Sequence, residues 1–220
     1  RDGSIDAGAP TGSTRTICII DSGLYTAHDD LKNINSSGYN GNLPWNTDGD
    51  GHGSHVAGTI AAVNNTLGVV GVTPGTVKLF IVRVFGNDGV WAYSSTLADA
   101  ANRCKTGGAN VISMSLGGTT KSTLEQNTFN SLYSAGILSI AAAGNDGNTR
   151  VSYPAGYASV MSVAAIDANK AIASFSQQNA DVENAAAGVS VLSTVPYIAT
   201  DTLTVNGTTF RWRVAPNDEP

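Results

Sequence analysis

Charge is what this chain has least of. Asp, Glu, Lys and Arg make up 13% of its 220 residues, about half the usual share. No block of like charge marks an interaction tail. The net charge of −5 argues against nucleic acid as a partner. Long apolar runs are missing too. Nothing approaches the roughly 18–20 residues that span a bilayer, so no membrane partner is expected. The opening Arg1-Asp2-Gly3-Ser4 has no basic-then-apolar leader, and the expectation is a signal already removed or a chain that was cut. Cysteine is reduced to Cys18 and Cys104, too few to identify a compartment. Small residues fill the space: Gly, Ala, Ser, Thr and Asn dominate, which suits a compact enzyme with many turns. The length suits one α/β domain around a single core. Three N-x-S/T sequons, at Asn35, Asn64 and Asn206, are close to chance in so Asn- and Ser-rich a chain.

Apolar, β-branched runs at 16–20, 77–84, 111–114, 138–143 and 160–165 predict buried strands. Between them, helical spacing predicts helices over 52–63, 94–105 and 123–135. The second has Leu97, Ala98 and Ala101 on one face and stops at Gly107-Gly108. The third has Leu124, Phe129, Leu132 and Tyr133 available for a core face. Continuous apolar strands alternating with helices mean a doubly wound, mostly parallel sheet covered on both faces. Function in such sheets gathers at the C-terminal ends of strands. The polar, glycine-flanked residues fall there: Asp21 after the first strand, Ser115-Leu116-Gly117-Gly118 after the third, Gly144-Asn145 after the fourth. From about Val191 the texture changes. Alternating runs at 202–205 and 208–212 flank Asn206-Gly207, the strongest short hairpin signal.

Taken singly, these residues have ordinary readings. Asp21 could cap the next segment, and Asn145 could be a turn residue. His52 and His55 could ligate a metal, but there is no His-Glu-x-x-His pattern, and zinc wants a third ligand. Together they read differently. Ile19-Ile20-Asp21-Ser22-Gly23, Asp50-Gly51-His52-Gly53-Ser54-His55-Val56-Ala57-Gly58-Thr59 and Ala141-Ala142-Ala143-Gly144-Asn145-Asp146-Gly147 follow one another in the order of the aspartate, histidine and oxyanion-asparagine segments of subtilisin-like serine proteases. The chain resembles that family, the subtilases, from about Thr14 to about Pro196.

The resemblance implies a secreted serine endopeptidase acting on proteins or peptides. His52 would be the general base, since a serine hydroxyl needs a base with pKa near 7. Asp21 would fix the imidazole tautomer and stabilise the imidazolium. The Asn145 amide would donate to the oxyanion, while His55 is a structural neighbour within the motif. Losing such a donor costs roughly 10²–10³ in rate, the magnitude found for subtilisin's own asparagine. Ser115, Leu116 and Gly117 match the strand that pairs with substrate, and Ala142, Ala143 and Gly144 the opposite wall. Small residues there imply a roomy pocket for large apolar side chains. The resemblance also implies a structural Ca²⁺ held by Asp30, the Asn65 side chain and the carbonyls of Val63, Leu67 and Val69, oxygen donors that suit this ion. It lays the helix of Cys104 over the strand of Cys18, leaving either a disulfide or two free core thiols.

One part of the pattern is missing. The family's nucleophile sits in a Gly-Thr-Ser-Met-Ala-like string, and none occurs here. Asn206-Gly207-Thr208-Thr209-Phe210 is the nearest lookalike, but the hairpin accounts for it better. Residues 1–196 are therefore expected to be an incomplete catalytic domain, inactive by itself. Residues 197–220 would be a hairpin segment, the start of an inserted β-rich domain. The serine would lie in a C-terminal remainder, which joins substrate and the prosegment among the expected partners. The alternative is a subtilase-like pseudoprotease that binds peptides without cleaving them.

Overall fold

The structure is a computed structural model. It describes residues 15–93 and 95–196, and the backbone of 202–205 and 208–211. Seven strands form one sheet: β1 (Thr16–Asp21), β2 (Ser36–Gly38), β3 (Lys78–Arg83), β4 (Val111–Met114), β5 (Leu138–Ala142), β6 (Val160–Ile166) and β7 (Val182–Ala187). Their order is β2-β3-β1-β4-β5-β6-β7, and every pairing is parallel. Helices α1 (His52–Ala61), α2 (Leu97–Thr106) and α3 (Thr123–Ser134) cover it. The expected doubly wound α/β architecture is the one observed.

Strand alternation divides the core in two. In β1, Cys18 and Ile20 face α2 and α3 with Val82, Ile112, Met114 and Phe129. Ile19 faces the other way, toward Ala57 and Ala61 of α1 with Leu79 and Ile81. A disulfide joins Cys18 to Cys104 of α2, with Cα atoms 5.5 Å apart and both residues fully buried. Of the two outcomes left open by the sequence, the structure has the bridge.

Three features differ from the sequence reading. Strands β2 and β7 were not expected: Ser-Ser-Gly and Val-Glu-Asn-Ala-Ala-Ala lack the β-branched runs that mark a buried strand, because both are edge strands. Helix α3 buries only Phe129 and Leu132, leaving Leu124 and Tyr133 exposed. At about 100° per residue, Phe129 and Leu132 share a narrow stripe and the other two fall on its flanks. Helix α1 stops at Ala61, because Ala62 turns to an extended conformation. At the C-terminal end, β8 (Thr202–Val205) pairs antiparallel with β9 (Thr208–Arg211), Thr204 opposite Thr209. The Asn206-Gly207 turn, Trp212 and the rest of the 197–220 segment lie outside the described residues.

Candidate active site

Strands β1, β4 and β5 are neighbours in the sheet. Their C-terminal ends therefore bring Asp21, Ser115–Gly118 and Gly144–Asn145 to one edge. Asp21 closes β1 and is fully buried. Its Oδ1 lies 2.7 Å from His52 Nδ1 and accepts the Ser22 N–H at 2.7 Å. Its Oδ2 has no partner among the described residues. His52 opens α1, with its side chain 51% exposed. One ring nitrogen is thus tied to a buried carboxylate while the imidazole remains open to solvent. The hydrogen bond to Asp21 raises the His52 pKa; burial opposes it, and the charges of Asp21, Asp50 and Asp48 add to the rise.

What aims the imidazole is the start of its helix. Gly51, the N-cap, supplies no capping side chain. Asp48, 4% exposed, does the capping instead. Its carboxylate accepts from the Gly51 N–H (2.8 Å), the Ser54 N–H (2.8 Å), Ser54 Oγ (2.6 Å) and Ser22 Oγ (2.9 Å). Ser22 Oγ accepts in turn from the Gly53 N–H at 2.8 Å. A Cβ at Gly53 would overlap the Gly23 carbonyl oxygen, so glycine lets α1 approach the end of β1. The sequence reading missed Asp48. Within Asp48-Gly49-Asp50-Gly51 it looks like turn chemistry, and its role needs Ser22, which is distant in sequence.

A cleft of about 350 Å³ separates Leu116 and Gly117 from Ala142 and Gly144, with Ser152 and Gln177 also lining it. Ser115, Leu116 and Gly117 make no backbone hydrogen bond among the described residues, leaving an edge free for an extended peptide. Ala142 and Gly144 line the cleft. Ala143 is buried, turned by strand alternation toward a neighbouring trough of about 310 Å³. Asn145 is exposed at the cleft, and its side chain makes no hydrogen bond among the described residues. His55 stands apart from this chemistry, its Nε2 lying 3.0 Å from the Val191 carbonyl. A wider hollow of about 1110 Å³ runs from His55 and Asn145 past Phe175 to Val189 and Val191.

The loop 63–69 wraps around Asp30, which is 1% exposed. Asp30 Oδ1 accepts from Asn65 Nδ2 (2.9 Å) and Oδ2 from the Val69 N–H (3.0 Å). The Asp30 carbonyl accepts the Val63 N–H (3.1 Å), and Asn65 Oδ1 accepts the Leu67 N–H (2.7 Å). Among the described residues no group of three or more His, Cys, Asp or Glu gathers as a metal cage.

A buried carboxylate bonded to a half-exposed imidazole, with a free backbone edge at the same C-terminal end of a parallel sheet, is the arrangement of a hydrolase. The profile of the subtilase family matches residues 12–212. Subtilisin DY of Bacillus licheniformis is 42% identical over 189 residues, covering 84% of this chain and 68% of its own. An alkaline protease of Shouchella clausii is 42% identical over 186 residues, with 84% of this chain and 48% of its own length covered. Among solved structures, the psychrophilic subtilisin-like protease Apa1 from the Antarctic psychrotroph Pseudoalteromonas sp. AS-11 superposes with a TM-score of 0.81. It is 48% identical, over 89% of this chain and 47% of that one. The chain belongs to the subtilase family of serine endopeptidases, and it spans between about half and two-thirds of the length of these relatives.

Proposed function

We propose that the chain is part of a secreted endopeptidase that hydrolyses protein substrates through an Asp21–His52–serine triad, the serine being supplied beyond Pro220. The observation that carries this reading is the 2.7 Å contact between buried Asp21 Oδ1 and His52 Nδ1 on a half-exposed ring. Bonded to Asp21, Nδ1 carries the proton and leaves Nε2 as the free base. Nε2 takes the serine proton as serine Oγ bonds to the scissile carbonyl carbon. The tetrahedral oxyanion receives the Asn145 amide. His52 then returns the proton to the leaving amine as the C–N bond breaks, and water repeats the cycle on the acyl-enzyme. The cleft volume suits a large apolar side chain. A peptide-library profile favouring small or acidic side chains would overturn that preference.

Exposed Ile172 and Val189, at 45% and 39%, line the hollow beside His55 and Asn145, and the next residue but two, Leu192, is 81% exposed. They favour a C-terminal remainder covering this face, since soluble domains rarely leave large apolar patches bare. The buried disulfide favours an oxidising, extracellular location. Calcium at Asp30 fits the residues present. This buried carboxylate makes no ion pair with Lys or Arg among the described residues, and it is held by the Asn65 amide and the Val69 N–H of a loop whose backbone carbonyls would supply the remaining oxygen donors. Ligation by Asn65 requires its amide to turn its oxygen toward the ion. The ion would tie this loop to the segment that follows β1.

The rival, a peptide-binding pseudoprotease, draws support from the missing Gly-Thr-Ser string. A fluorophosphonate probe separates the two on the secreted protein that contains this chain. Labelling that His52→Ala abolishes supports the enzyme; a protein that binds peptide but never labels supports the binder.

A further inference from the structure

Asn145 has nothing of its own to hold it. It is exposed, and its amide makes no hydrogen bond among the described residues. Yet a donor for a developing oxyanion must be held to within about 0.5 Å to be effective. Its placement must therefore come from the backbone on either side, Gly144 and Asp146.

Both flanks are gripped by one residue. Gln177 follows the β6 strand by eleven positions and is 2% exposed. Its backbone N–H donates to the Gly144 carbonyl at 3.1 Å. Its side-chain Oε1 accepts the Asp146 N–H, a long bond of 3.4 Å. Its Nε2 donates to the Arg150 carbonyl at 2.8 Å. The same Oε1 lies over the Gly144 Cα so closely that a Cβ there would overlap it. Gly144 has φ +115°, so glycine is needed for the backbone as well as for the space. Two backbone bonds continue the brace: Gly147 N–H to the Phe175 carbonyl (2.7 Å) and Gln178 N–H to the Asn148 carbonyl (2.9 Å).

We propose that Gln177 is the positioning residue of the oxyanion loop, fixing the direction of the Asn145 amide by clamping Gly144 and Asp146. This rests on the reading of Asn145 given above. Gln177 touches no reacting atom; because it also lines the cleft, any direct effect on the bound side chain would appear in KM, whereas its effect on the oxyanion runs through Asn145. A buried primary amide is costly unless bonded at both ends, and here both ends bond to the loop that carries the oxyanion donor. An apolar side chain of equal size would fill the same space and leave Asp146 N–H and Arg150 carbonyl without these partners.

The test is a double-mutant cycle on a peptide substrate, in the full-length protease that contains this chain. Gln177→Met is expected to lower kcat by about ten-fold and change KM by less than about two-fold, a fraction of the roughly 10²–10³ lost with the donor itself. In an Asn145→Ala background the same substitution should change kcat by less than about two-fold, because its route to the oxyanion is gone. Gln177→Glu, which keeps an acceptor for the Asp146 N–H, is the companion if the methionine variant does not fold; its effect should also vanish once Asn145 is removed. Equal losses in both backgrounds would reduce Gln177 to a stability residue and overturn the proposal, as would an unchanged kcat. If Asn145→Ala alone leaves kcat intact, the oxyanion reading of Asn145 fails first and takes this inference with it.

Discussion

Asp21 and His52 form a charge pair with one half out of water, which makes the imidazole's titration a direct report on the site. Because its hydrogen bond to Asp21 raises the His52 pKa, the sign of each pH effect follows. The pair's contribution to stability is complete below the ordinary histidine value of about 6.5 and is lost as pH rises through the higher folded value. Catalysis runs the other way: the base must be neutral, so the acid limb of kcat/KM should lie above about 6.5. Asp21→Asn should lower the His52 pKa, as read from its imidazole proton shifts against pH; an unmoved titration would sink the assignment of Asp21 as its partner. Asp48→Ala should cost about 2–4 kcal/mol in a urea titration, from the lost cap and the buried donors left behind. The His52 pKa should fall with it, since one nearby negative charge goes. Asp21, His52 and Asn145 were legible in the sequence because each lies in a short string whose residue types declare the chemistry. Asp48 and Gln177 were not. Each is defined by what it bonds across the fold, Ser22 for one and Gly144 for the other, and no local pattern carries that.

At the level of elements, the sheet was legible where burial dictates composition. The strands β1, β3, β4, β5 and β6 are covered on one or both faces and read as apolar runs. The edge strands β2 and β7 escaped because the sheet edge lets Ser, Asn, Glu and Ala serve. Helix α2 is fixed more firmly than its length suggests. Thr96 caps it through the Asp99 N–H at 3.2 Å, with Asp99 in the first turn and Arg103 and Lys105 in the last. Tyr93 donates to Asp99 at 2.7 Å, and the Arg103 guanidinium stacks over the Tyr39 ring at 4.6 Å. The disulfide then binds α2 to β1 across 86 residues of sequence. Replacing both cysteines by alanine should lower stability by about 2–4 kcal/mol, mostly by freeing the unfolded chain. Denaturant midpoints of the two forms measure it, and equal midpoints would mean that the bridge adds nothing to stability.

On the scale of the whole molecule, the exposed apolar side chains of Ile172, Val189 and Leu192 have consequences in solution. The 220-residue chain should bind an apolar dye such as ANS or self-associate, and the full-length protein should do neither. If the short chain stays monomeric and dye-free, the face does not need a C-terminal remainder. Calcium at Asp30 predicts a second bulk property. Chelation should lower Tm, by the equivalent of about 2.7 kcal/mol where free calcium had stood at 100 times its Kd. Asp30→Asn should remove that dependence; a Tm indifferent to chelator would dispose of the ion. The sealed sulfur pair, finally, gives the molecule a memory. With Cys18 and Cys104 both at 0% exposure, neither an oxidant nor a reductant reaches them once α2 lies on the sheet. The bond is therefore made while the chain folds, or later only through an opening that lifts α2 from the sheet. Two preparations with one sequence can then differ according to the surroundings in which each first folded, and exposing the finished protein to air makes them alike only as fast as that opening occurs.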